Sequence, residues 1–446
     1  MSEIAPKAGN QNFPGFNGIR FIGALSVLFS HSFLLTGGPG SADPISQWLG
    51  HHNSPGEYAV SNFFLLSGFL LMGSLSKCGD PLRFLTNRLL RLVPAFWAAI
   101  AFTILFIAPL LSDRSFWQMA VSPAVWKSIF DSAICLGDYT DLPIQASRFP
   151  EMAGFINGAL WTLPYELICY LFLLVLHLLL KTPGRIAIAA ATFGVFALCA
   201  PHLLAATAEL QHATTTTNFQ LPLFMHERTL PFFSAGIVLS ACDQRWRISG
   251  RIAAIAAIIF PLSFLLHAEY ITYLFCGPVV LLWLGRNPGF LARLPKRLGD
   301  ITYGIYLFGW PVELAVALHG RGLNPWQVFA LSAPISIGLA LLLRSFVEQP
   351  VQNWLRPAVL RWIPPFVPPN SSARLLHTLG LGLILITLAR FLIFPWPGSS
   401  NWFGFQPPKL SLLIFIVSIL QLCASRPLAF SRWSKRKNPP APPSFP

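Results

Sequence analysis

FNGIRFIGALSVLFSHSFLL, Phe16 to Leu35, is the stretch on which the reading of the whole chain turns. It is an apolar run carrying Arg20 near one end and His31 deeper in. At about 100° per residue, the step from Arg20 to His31 makes roughly three turns plus 20°. On a helix the two side chains therefore share a face, about 16 Å apart along the axis. Both are expensive within lipid, Arg at a bilayer centre by about 2.5–3.5 kcal/mol on insertion scales, so an ionisable face inside a span reads as a functional one.

Composition fixes the setting of that face. The 446 residues are 54% hydrophobic and 11% charged, with a mean hydropathy of +0.58. These values exclude soluble domains and leave an all-α polytopic integral membrane protein. The formal charge of +14 falls mostly in short loops between apolar runs, so topology explains it and no nucleic-acid partner is implied. Seven cysteines include no C-x-x-C pair and no zinc spacing, so neither a disulfide framework nor a metal site is expected.

Counting about 20 apolar residues per crossing, spans fall at Ile19–Leu35, Tyr58–Leu75, Val93–Leu111, Ala159–Leu180, Ile186–Ala206, Thr229–Cys242, Ile252–His267, Tyr270–Gly285, Ile301–His319 and Trp326–Val347. Two more follow at Leu375–Trp396 and Leu410–Ala424. Lys and Arg collect in alternate loops once the short Thr229–Cys242 span is counted, which puts both termini in the cytosol. The divisions expected are a cytosolic lead-in 1–15, a transmembrane domain 16–350, a linker 351–374, two further helices in 375–425 and a basic, Pro-rich tail 426–446. The outer loop from Ser112 to Asn157 holds the acids Asp113, Asp131, Asp138, Asp141 and Glu151, with Cys135 unpaired, and Arg390 sits within a span.

Depth groups the remaining polar residues. His31, Glu166, Glu313 and Asn62 fall in one layer of the outer half of the membrane when about 1.5 Å is counted per residue. Pro164, two residues before Glu166, is expected to break its helix and free carbonyls at the depth of the acid. In FLTNRLLRLVP, Arg88 and Arg91 stand three apart on one face, and paired guanidiniums suit the phosphates of a cosubstrate.

At these residues the chain resembles the membrane acyltransferase-3 family, whose members move acyl groups, usually acetyl, from coenzyme A to sugars and related acceptors. The resemblance rests on Arg20 and His31 after Asn17–Gly18, FFLLSGFLL at Phe63–Leu71, RLLRLVP at Arg88–Pro94, LWTLPYE at Leu160–Glu166, YGIYLFGWPV at Tyr303–Val312 and FVEQP at Phe346–Pro350. It implies a ten-helix core, here with two extra C-terminal helices, in which His31 is the essential base and Arg20, Arg88 and Arg91 serve the donor. Many members carry Asp-Gly at Asn17–Gly18, a second acid at Leu167 and a His at Gly309, so no role transfers to that last position. LWTLPYE resembles the branch that decorates exopolysaccharide and other surface glycans.

The expected reaction takes acetyl or another acyl group from cytosolic acyl-CoA, a cosubstrate and not a resident cofactor, to a hydroxyl of a sugar or lipid-linked glycan. His31 either takes the hydroxyl proton or carries the acyl group transiently. Glu166 is the candidate to orient His31 or bind acceptor hydroxyls, and Asn62, Trp161 and Glu313 are assigned to the substrate. The rival from another class is a transporter or flippase, in which the buried His, Glu and Arg would form a solute path.

Overall fold

The computed structural model describes residues 13–38, 40–49, 53–78, 80–111, 115–123, 125–126, 156–205, 217–243, 248–292, 300–320 and 322–363. The lead-in before residue 13, the outer-loop acids with Cys135, the spans at 375–396 and 410–424, Arg390 and the basic tail lie outside the described residues.

Backbone in hydrocarbon must satisfy its own N–H and C=O groups, and among the described residues every regular element is helical. In chain order these are α1 (Phe16–Gly37), α2 (Pro44–Trp48), α3 (Pro55–Cys78), α4 (Pro81–Leu110) and α5 (Phe116–Ala120). A 3-10 turn, Gly158–Trp161, leads into α6 (Thr162–Leu180), followed by α7 (Pro183–Ala205), α8 (Thr217–Cys242), α9 (Gly250–Leu262) and α10 (Glu269–Arg286). The last two are α11 (Thr302–His319) and α12 (Pro325–Trp362). Among the described residues, five stretches are long and apolar enough to cross a membrane: Phe16–Gly37, Pro55–Cys78, Pro81–Leu110, Gly158–Leu180 and Pro325–Trp362. Large apolar side chains point outward, among them Ile252, Ile255 and Ile258 on α9 and Phe275 on α10. In water they would form an adhesive patch, whereas a lipid-facing surface requires them. The chain is an all-α polytopic membrane protein.

Local chemistry sets the helix ends. Asp80 accepts from the backbone N–H groups of Leu82 and Arg83, with Pro81 in the first turn of α4. Asn324 and Gln327 form a reciprocal capping box, with Pro325 opening α12.

Prolines explain where the helices depart from the expected spans. α4 starts well before Val93, carries Arg88 and Arg91 within it, and continues through Pro94. π turns at Thr103–Ile107, Arg344–Glu348 and Val351–Leu355 each end two residues before a proline: Pro109, Pro350 and Pro357. Widening the helix there relieves the clash between each proline ring and the carbonyl of the preceding turn. α12 thereby continues to Trp362, through residues expected to begin a linker. Pro164 does not interrupt a helix: α6 begins at Thr162, so the proline lies in a first turn whose N–H groups have no intrahelical acceptor. α8 likewise starts at Thr217, ahead of the expected Thr229.

α1 is gripped from three directions. Gly23 lets Phe63 and Ala59 of α3 approach, and Gly309 of α11 receives Leu28. Phe29 and Phe33 pack on Trp326 of α12 with ring centroids 5.3 and 5.6 Å apart. Ala24, Leu28, Ile305, Ala333 and Ala340 form the buried centre of this packing. The largest helix–helix interface among the described residues is between α3 and α8. There Gly68 and Gly236 bring the two backbones together, and a Cβ on Gly236 would lie 2.2 Å from the Leu65 carbonyl oxygen. Gly236→Val should therefore destabilise the protein by about 1–3 kcal/mol, seen as a lower melting temperature in detergent. An unchanged melting temperature would refute so close a crossing.

Candidate active site

The register of α4 and α6 brings charge to one end of α1. Arg88 and Arg91, three residues apart on α4, line a cavity of about 140 Å³ together with Arg20, Glu166, Tyr170 and Asp300. Glu166 and Tyr170 stand one turn apart on α6, and the tyrosine hydroxyl donates to the carboxylate. One oxygen of Asp300, Oδ2, accepts from Arg91 Nη2 at 2.7 Å and lies 3.5 Å from Arg20 Nη1. Arg344 Nη1 donates to the Asp300 main-chain carbonyl at 3.1 Å. Burial alone would push the Asp300 carboxyl up, but Arg91 and Arg20 outweigh it and hold this group below the usual carboxylate range. Arg88 Nη2 donates to Ser74 Oγ at 2.9 Å, and its guanidinium lies 5.5 Å from the Phe84 ring centroid. Arg88 Nε is buried with no hydrogen-bond partner among the described residues.

Three guanidiniums face two carboxylates across this cavity. With both acids ionised the wall keeps one net positive charge and an unused buried donor, an environment suited to an anionic group such as a phosphate.

Phe63, Thr162 and Tyr306 line the same cavity. The Tyr306 hydroxyl donates to the Ala159 carbonyl at 2.7 Å and lies 2.8 Å from Thr162 Oγ1. One carbonyl beside the LWTLPYE segment is thus satisfied by a side chain of α11. His31 is not among the cavity's lining residues.

His31 has neighbours of its own. Its Nδ1 is 3.8 Å from Glu313 Oε2, and its ring meets Trp310 edge to face at 4.8 Å. The Glu313 side chain is 0% exposed against 20% for His31. Neither Glu313 oxygen nor His31 Nδ1 has a hydrogen-bond partner among the described residues. Gly158 makes room for the Trp310 indole, because a Cβ there would lie 2.7 Å from it. Next to His31, Ser30 Oγ accepts the Gly56 N–H at 3.0 Å and ties α1 to the start of α3.

The candidates read from the sequence thus separate into two groups. Arg20, Arg88, Arg91 and Glu166 share the cavity, so Glu166 sits with the arginines and it is Glu313 that faces His31. Asn62 is engaged elsewhere, accepting from the Tyr273 hydroxyl of α10 at 2.7 Å. Trp161 packs edge to face on Tyr165, with ring centroids 5.9 Å apart. Asp300, Tyr170 and Trp310 were missed. Asp300 had a signal: it is the acid directly before the ITYGIYLFGWPV run, on the expected side of Arg20 and Arg91. Gly309, to which no role was carried, is the point at which α11 accepts Leu28.

With this geometry in hand, comparison with known proteins is specific. The profile of an acyltransferase domain matches residues 13–345. The O-acetyl transferase of Shigella phage Sf6 is 26% identical over 341 residues, covering 75% of this chain and 94% of the phage protein. Nodulation protein 10 of Rhizobium leguminosarum bv. viciae is 25% identical over 371 residues, covering 78% of this chain and 94% of that protein. No solved structure matches. The matched segment contains the arginine cavity, the His31–Glu313 pair and nearly all of the described helices, and this chain belongs to the acyltransferase-3 family of membrane acyltransferases.

Proposed function

We propose that the protein is an O-acyltransferase of a bacterial inner membrane, moving an acetyl or related acyl group from acyl-coenzyme A to a hydroxyl of a surface or exopolysaccharide sugar. The observation that carries this reading is the division of α1 between an arginine-lined cavity at one end and a buried imidazole–carboxylate pair toward the other. A donor of this class is anionic at one end and reactive at the other, and the two groups of residues differ in the same way. The name of the phage relative supports acetyl as the group moved.

The donor's phosphates meet Arg88, Arg91 and Arg20 on the cytosolic side, with Arg88 Nε offering an unused N–H. The acyl-bearing arm continues past Phe63 and Tyr306 toward His31. Tyr306 and Glu313 are seven residues apart on α11, hence on one face and about 10 Å apart along the axis. With Glu313 facing Nδ1, the His31 Nε2 is left to the substrate. It takes the proton of the acceptor hydroxyl as the oxygen attacks the thioester carbonyl. The C–O bond forms, the C–S bond breaks, and the proton passes from the imidazolium to the departing thiolate. Glu313 holds the ring orientation through the transfer.

Loss of a general base removes about 10²–10⁴ in rate. His31→Ala should abolish glycan O-acylation, read by mass spectrometry, with the protein still present in the membrane; persisting acylation would end the base assignment. Glu313→Gln should lower kcat by about tenfold or more while the KM for the donor stays unchanged, and a change confined to KM would assign Glu313 to binding instead. Arg88→Ala with Arg91→Ala should weaken coenzyme A binding in calorimetry, and equal binding would remove the donor from this cavity.

A further inference from the structure

Asp300 is the point at which four parts of the chain meet. Its carboxylate takes Arg91 from α4 and Arg20 from α1. Its main-chain carbonyl takes Arg344 from α12. Thr302, the first residue of α11, also favours the ionised form of this carboxyl. A carboxylate held by two guanidiniums cannot swing away without giving up both contacts, and a charge-assisted bond such as that to Arg91 is stronger than a neutral one.

Two roles are open to an acid among phosphate-binding arginines. It can occupy the anion's place and be displaced, or it can stay and aim the arginines. Displacement suits a side chain with no partner of its own, whereas Asp300 already holds Arg91 and Arg20, and Arg344 fixes its main chain. Both arginine contacts also converge on the single oxygen Oδ2, through one terminal nitrogen from each guanidinium, and an arginine carries five N–H donors. The remaining donors of Arg20 and Arg91 are left for an anion in the cavity that both residues line.

We infer that Asp300 is a positioning residue for the anionic end of the donor, holding Arg20 and Arg91 so that their unused N–H groups converge on a phosphate. The inference rests on the donor assignment made above and adds to it a residue outside the arginine motif. Asp300 touches no reacting atom in this role. It acts through the two guanidiniums, and its effect belongs to binding rather than to the transfer step.

The test uses full-length protein in detergent and coenzyme A as the probe. Asp300→Asn should raise the dissociation constant for coenzyme A by roughly tenfold, with kcat at saturating donor nearly unchanged. Asp300→Glu, which keeps the charge, should recover part of the affinity, and its recovery separates lost positioning from lost folding. Adding Asp300→Asn to Arg91→Ala should cost less affinity than Asp300→Asn costs in the unsubstituted protein, because only Arg20 is then left for the acid to position. Tighter binding by Asp300→Asn would overturn the inference and make the acid a competitor of the phosphate. Unchanged binding, or losses that add fully in the double variant, would overturn it as well. Failure of the unsubstituted protein to bind coenzyme A would instead refute the donor assignment itself, taking this inference with it.

Discussion

The rest of the structure depends on how guanidiniums can be kept at the edge of an apolar bundle. A charge withdrawn from water is tolerated when another charge meets it at hydrogen-bonding distance, and here Asp300 does so for Arg91 and Arg20 together. Because those arginines sit on α4 and α1 and the acid directly precedes α11, one electrostatic requirement sets three helices side by side. Arg344 extends the same junction to α12. The glycine contacts along α1 then fix the spacing that these polar contacts leave open.

α11 distributes this arrangement along its length. Asp300 precedes its first turn, Tyr306 bonds to Ala159 and Thr162 a few residues later, Trp310 stands against His31, and Glu313 lies beneath the imidazole. The small residue at Gly309 lets α1 pack against it without a gap, which keeps His31 and Glu313 in register. Where many members of the family carry His, this chain has spent the position on close packing.

Much of this was legible in the sequence. Apolar runs with few charges gave the helices, and the step from Arg20 to His31 gave a polar face, because both depend only on local periodicity. Arg88 and Arg91 were legible for the same reason. The partner of each buried group was not. Depth along the membrane put Glu166 and Glu313 in one layer with His31, but depth says nothing about rotation, and rotation turned Glu166 toward the arginines and Glu313 toward the imidazole. Helix breaks were misjudged where proline was read in isolation. Pro164 falls in a first turn that has no hydrogen bond to lose, and Pro350 and Pro357 are absorbed by π turns that let α12 run on.

The hydroxyl cluster of Tyr306 and Thr162 has a consequence for the cell that holds such a protein. A water-filled path running from an arginine-lined mouth through to the opposite face would let anions and protons run down any electrical gradient held across the membrane. Hydroxyls bonded to each other and to the Ala159 carbonyl, beside the Phe63 ring, line the cavity at that level, where a donor arm lying between them would fill such a path. Insulation against electrical leak is thereby built from the same few side chains that bound the cavity.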